Sequence, residues 1–167
     1  MDGSRLRAGA LLGTVGLGLA VAGPVMVLRG RGGRKEIRAE LAAQKITFPD
    51  QGLPAELAAY AGRQVETGPE AHAYAQYIKG NLAKATGGRT YSELATELHA
   101  AGGDDEKLVR LRQTAFMGQS LRASLMSAYQ AWQLTTLATG LGAALTGLGA
   151  ALVATAGVLA PRSPNQS

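Results

Sequence analysis

The stretch that decides the fold is AGALLGTVGLGLAVAGPVMVL, residues 8–28, which contains no charged side chain. A second uncharged stretch, LTTLATGLGAALTGLGAALVATAGVLA, occupies residues 134–160. The first stretch has 21 residues, which as a helix reach about 31 Å and match a hydrocarbon core of roughly 30 Å. The second has 27 residues and is long enough to span with tilt. The sequence therefore predicts two transmembrane helices, one at each end.

The first stretch has an alternative interpretation as a cleaved signal peptide. Arg5 and Arg7 would form its basic region, residues 11–19 its apolar region, and the AVA at residues 20–22 a small-x-small cleavage site. The apolar run continues past that site to Leu28, which favours a retained span. Both interpretations stay open from the sequence.

The region between the two apolar stretches has the composition of a small helical domain. The whole chain has two Phe, one Trp and five Tyr, so the core must be mostly Leu and Ala, which suits helices. It has no Cys, which excludes disulfides and thiolate metal sites. The predicted fold is all-α, with two transmembrane helices flanking a small helical domain. The predicted order is an N-terminal tail (1–7), a transmembrane helix (8–28), a basic Gly-rich hinge (29–38), the helical domain (39–133), a second transmembrane helix (134–160) and a C-terminal tail (161–167).

The last helix is predicted to run through both the domain and the membrane. Acidic residues 104–106 suit a helix N-terminus, and no helix breaker follows until Pro161. Glycines inside a membrane segment are tolerated, so we expect one helix of about 54 residues and about 80 Å. Pro24, by contrast, is expected to kink or end the first helix. Thr90-x-x-Glu93 predicts a capping box for a helix ending near Ala101.

Small residues line one face of the first span, at spacings of 4, 3, 4 and 3. They are Gly9, Gly13, Gly16, Ala20 and Gly23. The second span has two neighbouring ladders of small residues at spacing 4. One is Ala138, Gly142, Thr146, Ala150 and Ala154, and the other is Thr139, Ala143, Gly147, Ala151 and Thr155. Small residues let helices approach closely in membranes. The sequence favours packing of the two spans against each other, and an oligomer interface is the alternative.

The formal net charge of +5 is concentrated beside the first span. Five bases lie within residues 29–38, whereas residues 39–133 have nine bases and ten acids. The five are Arg29, Arg31, Arg34, Lys35 and Arg38. They predict contact with anionic lipid headgroups, worth about 1 kcal/mol per base near the surface, and a solvated flank that only helps set topology is the alternative. No aromatic residues are interleaved with the bases, so nucleic-acid binding is excluded as an interpretation.

The residues that carry chemistry are few, and the sequence predicts no catalytic residue, cofactor or metal. A metal-dependent enzyme would have to use His72, His99 and nearby carboxylates, because a facial iron site needs two His and one carboxylate. The two His fall on separate predicted helices, so they would meet only if those helices pack antiparallel. No phosphate-binding G-x-x-x-x-G-K-[ST] loop is present. Neither span contains an ionisable residue, which argues against an ion pathway.

Two further sets of residues are candidates for a structural or binding role. Arg122, within SLRASL, is predicted either to form a buried pair with Glu93 or Glu97 or to lie solvated along the last helix. An alternative function, a lipid- or small-ligand-binding module, would place four aromatic side chains around a pocket. They are Phe48, Tyr74, Tyr77 and Tyr91.

Four segments, in this order, resemble a set of small actinobacterial membrane proteins often labelled aromatic ring-opening dioxygenases. They are AELAAQKITFP (39–49), ETGPEAHAYAQYI (66–78), GGRTYSEL (87–94) and SLRASLMSAYQAW (120–132), followed by the Gly-rich span. The resemblance covers about residues 39–155 and implies a two-span protein whose middle region lies outside the cytoplasmic membrane, with no established activity. The positive-inside rule gives the opposite orientation, because five bases follow the first span and two precede it.

Together these observations predict a non-enzymatic integral membrane protein that organises partners. The expected partners are membrane lipids, a second copy of the chain, or another membrane protein. The expected location is the cell membrane, with the domain on the extracytoplasmic side.

Overall fold

The computed structural model describes residues 2–159, and these residues form two compact units. One unit comprises residues up to 34 and from 134 onward, and we call it the paired-helix unit. The other comprises residues 35–133, and we call it the middle unit. Each unit has its own packing.

The described chain is all-α, as predicted. Its helices are α1 (Asp2–Ala43), a short 3-10 helix (Ala55–Tyr60), α2 (Gly68–Thr86), α3 (Tyr91–Ala100) and α4 (Glu106–Leu159). Within residues 2–159 the extended backbone is limited to an isolated antiparallel bridge between Thr47 and Gln64. The last helix has 54 residues without interruption, which confirms the prediction of one continuous helix.

The first helix is also continuous, and the expected Gly-rich hinge and N-terminal tail were wrong. Residues 29–38 are helical rather than a flexible hinge, and α1 passes through Pro24 to end at Ala43. Residues 2–7, expected as a tail, also belong to α1. Gly30 and Gly33 lie against α4, where a Cβ on Gly30 would come within 2.5 Å of the Thr139 hydroxyl. These glycines serve helix contact rather than flexibility. The predicted C-terminal tail, 161–167, lies outside the described residues.

In the paired-helix unit, α1 and α4 pack antiparallel along a seam of small residues. Gly9 and Gly13 meet Ala156, Gly16 meets Gly149 and Val153, and Gly23 meets Gly142 and Thr146. On α4 the seam residues recur at alternating spacings of 4 and 3, the pattern that keeps one helix face towards a partner helix. They are Thr135, Thr139, Gly142, Thr146, Gly149, Val153 and Ala156. The favoured interpretation, that the two apolar segments pack against each other, is the arrangement found.

The backbones approach so closely that the central glycines have no room for a side chain. A Cβ on Gly149 would lie 2.5 Å from the Ala20 nitrogen and 2.7 Å from the Gly16 carbonyl oxygen. A Cβ on Gly142 would lie 2.6 Å from the Gly23 carbonyl oxygen. These obstacles are backbone atoms, which cannot move aside without displacing the whole helix. The seam therefore depends on glycine at these positions.

Threonine hydroxyls on the seam are satisfied within α4. The Thr139 hydroxyl donates to the Thr135 carbonyl at 2.8 Å, and the Thr146 hydroxyl donates to the Gly142 carbonyl at 2.8 Å. Threonines that bond back to their own helix leave no donor facing the apolar surroundings. Their short side chains still fit a narrow seam.

The middle unit has a conventional core built around Phe48. Phe48 is 2% exposed, stacks on Tyr60 with ring centroids 5.2 Å apart, and meets the edge of Tyr74 at 4.9 Å. Val65 and Leu94 are fully buried. The rest of the buried apolar set comes from every helix of the unit: Leu41, Leu57, Ala71, Ala73, Ala75, Leu98, Ala115 and Leu125. Burial of this apolar surface is the main force that holds the unit together.

The connecting segments of the middle unit are held by helix caps and by two backbone hydrogen bonds between residues 46–48 and 63–65. The Phe48 amide donates to the Arg63 carbonyl at 2.9 Å, and the Val65 amide donates to the Ile46 carbonyl at 2.8 Å. The predicted capping box of α3 is confirmed, because the Thr90 side chain accepts from the Glu93 amide and the Glu93 carboxylate accepts from Thr90. These bonds hold the connecting segments in register.

Candidate interaction sites

The outward surface of the paired-helix unit is apolar along most of its length. Two helices, Gly3–Ala43 and Glu106–Leu159, are long and apolar enough to cross a membrane, and only 11% of the most apolar window of each is buried. Leu11, Val21 and Leu134 are 69%, 67% and 67% exposed. A core helix of a soluble protein would bury most of such side chains. The chain leaves them facing outward, which suits hydrocarbon rather than water.

Four of the five predicted headgroup-contact bases share one face of α1. Because α1 is helical through this segment, residues at spacings of 3, 4 and 7 point the same way. Those residues are Arg31, Arg34, Lys35 and Arg38. Arg31, Lys35 and Arg38 are exposed, while Arg34 is partly buried and donates to the Thr136 hydroxyl at 2.7 Å. Arg29 is exposed on the opposite face, just over half a turn before Arg31.

The predicted packing ladders of the second span are only partly at the seam. Gly142 and Thr146 contact α1. Gly147, Ala150 and Ala151 are exposed, and a Cβ on Gly147 would meet nothing within 4 Å. The sequence reasoning used a spacing of 4, whereas two long helices in contact follow alternating spacings of 3 and 4. It therefore missed Gly149, Val153 and Ala156, which that alternation would have identified.

A buried carboxylate, Glu70, organises the start of α2. It is 5% exposed and accepts from the Glu66 amide at 3.0 Å and from the Thr67 amide and hydroxyl at 2.9 Å each. Arg63 donates to its other oxygen at 2.5 Å. Burial opposes ionisation of Glu70, but the hydrogen bonds from Glu66 and Thr67 and the nearby Arg63 outweigh it and lower its pKa. The motif T-x-x-E at residues 67–70 is a second capping box, which the sequence reasoning did not single out.

Arg122 forms neither of the ion pairs predicted for it. Glu97 pairs with Arg89 at 2.6 Å, and Glu93 caps α3 at Thr90. Arg122 is partly buried on α4, and its Nε is shielded from solvent without a hydrogen-bond partner among the described residues. Arg122 is therefore a structural side chain with one unsatisfied donor.

The two histidines lie in different environments. The His72 ring packs against Tyr129 with centroids 4.7 Å apart, and its Nε2 lies 3.3 Å from the Gln76 amide nitrogen. His99 is exposed in the last turn of α3. Within residues 2–159, no group of three or more His, Asp or Glu side chains is close enough to hold a metal ion.

The aromatic residues proposed to line a pocket do not do so together. Phe48 and Tyr74 are in ring contact with each other, and Tyr74 is in ring contact with Tyr77. Tyr91 is 43% exposed and touches Phe116 instead. Burial, together with the Tyr77 hydroxyl, raises the pKa of Tyr74. Phe48, Tyr74 and Tyr77 therefore form a packed cluster, Tyr91 forms a separate surface pair with Phe116, and the four do not line one pocket.

Comparison of the chain with protein-family models, with curated proteins and with solved structures finds no match to any of them.

Proposed function

We propose that this chain is an integral membrane protein in which α1 and α4 cross the bilayer as a packed pair and the middle unit organises partners at its surface. The observation that carries the proposal is the combination of long apolar outward surfaces with a tight inner seam. Each apolar window is 11% buried, yet Gly16, Gly23, Gly142 and Gly149 are buried against the opposite helix. A pair of helices with apolar side chains on the outer surface and small residues at the contact between them is the arrangement expected in lipid.

The basic face of α1 supports a position beside anionic headgroups. Arg31, Lys35 and Arg38 project from one side of a regular helix that continues from the apolar segment. Each base near an anionic surface contributes about 1 kcal/mol. Arg29 lies on another face, so we assign it to the solvated flank rather than to this contact surface.

Retention of the N-terminal segment is part of the proposal. Cleavage after residue 22 would remove Gly9, Gly13, Gly16 and Ala20, which contact α4. The close-packed half of α4 would then lose its partner helix. The intact mass of the protein purified from membranes checks this, since a cleaved protein would be shorter by 22 residues.

For orientation, we propose an extracytoplasmic middle unit, as the resemblance implies, against the positive-inside rule. The chain has no Cys, so a single Ser92→Cys variant can be labelled with a membrane-impermeant maleimide in intact cells. Ser92 is exposed at the start of α3. Labelling before lysis supports the proposed orientation, and labelling only after lysis reverses it.

The organising role is tested by purification from native membranes in lipid nanodiscs, with identification of co-purified proteins against a tag-only control. The proposal predicts at least one membrane protein, or a second copy of the chain, recovered in stoichiometric amount after in-cell cross-linking. A strictly monomeric, partner-free protein would contradict it. We propose no reaction for the chain.

A further inference from the structure

An open groove in the middle unit lies between the end of α1 and the first half of α4. It has a volume of about 400 Å³. Its floor is apolar, formed by Ile37 and Leu41 from α1 and by Leu121, Leu125 and Ala128 from α4. Five residues of the core around Phe48 also line the groove, and they are Ile37, Leu41, Ile46, Leu125 and Ala128.

The groove has the dimensions of a helix-binding site. At the end of α1 its lining runs from Glu36 to Gln44, the residue after the helix, about 12 Å, and along α4 from Leu121 to Ala131, about 15 Å. Two to three turns of a helix fit this length. Both walls of the groove present apolar residues at spacings of 3 and 4. Such a groove binds a third helix whose own apolar residues, at i, i+3 or i+4, and i+7, pack between those of the walls.

The rim of the groove is negatively charged on its α1 side. Glu36 and Glu40 are four residues apart, so they lie on one face, and both are exposed. Neither carboxylate has an ion pair or hydrogen bond within residues 2–159. The α4 side contributes only the small, neutral Ser124 and Ser127. An occupant with positive charges above its apolar face complements these two carboxylates.

We propose that this groove binds a basic amphipathic helix of a partner protein. Aliphatic side chains of that helix would fill the floor over Leu121, Leu125 and Ala128, and its Lys or Arg side chains would pair with Glu36 and Glu40. The inference rests on the proposed organising function and names the chemistry of the partner. Ala131 lines the groove three residues before the uncharged stretch begins at Leu134. The basic segments that flank membrane helices are therefore suitable partners.

The test uses the full chain in nanodiscs of zwitterionic lipid and a synthetic helical peptide of about 15 residues, about four turns. The peptide has Leu at i, i+3, i+4 and i+7 and Lys on both flanks, and a matched peptide has Glu in place of Lys. Binding is measured by fluorescence anisotropy, with protein-free nanodiscs as the background. The inference predicts saturable binding of the Lys peptide that weakens with salt, and at least tenfold weaker binding of the Glu peptide.

Two variants test the two halves of the site. Glu36→Gln with Glu40→Gln should weaken binding about fivefold, since each exposed charge pair contributes roughly 0.5 kcal/mol, about twofold. Ala128→Trp fills the floor and should weaken binding more than about tenfold. The matched controls are Glu106→Gln, which is exposed outside the groove, and Ala123→Trp, on the exposed side of α4. Both controls should stay within twofold of the parent protein.

Site-specific photo-cross-linking separates this occupant from the others. A benzophenone maleimide on a single Ser124→Cys should capture the Lys peptide. Two cross-linking results would overturn the inference: a cross-linked dimer of the chain, or a lipid adduct that the peptide does not displace. Absence of saturable binding in the anisotropy measurement would also overturn it. Equal binding by the Ala128→Trp variant would also overturn it. If that variant still recovers the parent's partners from native membranes, the groove inference fails while the organising function stands.

Discussion

The paired-helix unit and the middle unit are both helical, yet opposite features hold each of them together. In the paired-helix unit the contact is made where side chains are absent, at Gly16, Gly23, Gly142 and Gly149. In the middle unit it is made by large side chains, with Phe48 between two tyrosine rings. In water, burial of apolar side chains lowers the free energy of the folded state. In lipid this hydrophobic driving force between helices is absent, so the attraction between them must come from close backbone packing.

The comparison implies that side-chain volume should affect the two units in opposite directions. Removing atoms from the middle unit creates a cavity, whereas adding atoms to the seam pushes two backbones apart. Phe48→Ala tests the first of these effects and Gly149→Ala tests the second.

Phe48→Ala should destabilise the middle unit by about 3–5 kcal/mol, the usual cost of truncating a buried aromatic side chain. Phe48 is among the largest fully buried side chains, so little solvent can enter to compensate. Denaturant unfolding followed by tyrosine and tryptophan fluorescence measures the loss. A loss below about 1 kcal/mol would show that the Phe48 cluster is not the centre of this core.

Gly149→Ala should destabilise the seam by about 1–3 kcal/mol, because its Cβ would come 2.5 Å from the Ala20 nitrogen and the helices must separate. The measurement is thermal unfolding in lipid nanodiscs. Gly147→Ala is the matched control, since it makes the same change two residues away where nothing lies within 4 Å. The control should leave stability unchanged or raise it slightly through helix propensity. Equal changes in thermal stability for the two substitutions would contradict the close contact at Gly149.

Glu70→Ala should cost about 2 kcal/mol, since it leaves the Glu66 and Thr67 amides without a charged acceptor. The lowered pKa of Glu70 gives this contribution a pH dependence. It is present above the ordinary pKa of 4.5 and is lost as the pH falls through the lower folded-state pKa. Unfolding free energies measured from pH 7 to 3 should therefore fall more steeply for the parent than for the variant. Parallel pH profiles would contradict this role.

Arg122→Met should leave stability unchanged or raise it by up to about 1 kcal/mol. The long aliphatic stem is kept, and the buried Nε without a partner is removed. Denaturant unfolding of the two proteins under the same conditions measures the difference. A loss of 2 kcal/mol or more would reveal an ion pair of Arg122 and restore the first interpretation of this residue.

The fold was largely predictable from the sequence because its strongest signals are long and uninterrupted. The uncharged segments and the absence of a breaker before Pro161 predicted the two apolar helices and the 54-residue α4. The T-x-x-E motif at Thr90 predicted a helix start, because a capping box is satisfied by neighbouring residues alone.

The contacts were less predictable because they depend on which residues meet across the chain. Gly30 and Gly33 indicate a hinge when considered alone, since glycine is the most flexible residue. Opposite Thr135 they allow close contact instead. The exposed Gly147 and the buried Gly149 are chemically identical, and only the register of α4 against α1 separates them. The groove likewise arises from two segments about 85 residues apart.

An engineered disulfide between α1 and α4 tests whether the two helices of one chain form the glycine seam. A Cβ on Gly13 would lie 3.5 Å from the Ala156 Cβ, within the range of about 3.5–4.5 Å that a disulfide requires. The chain has no other Cys, so Gly13→Cys with Ala156→Cys can be oxidised without competing thiols in the same chain. The account predicts an intramolecular disulfide in a monomer, and none for the control pair Gly18→Cys with Ala156→Cys. Disulfide-linked dimers alone, or equal oxidation of both pairs, would contradict it.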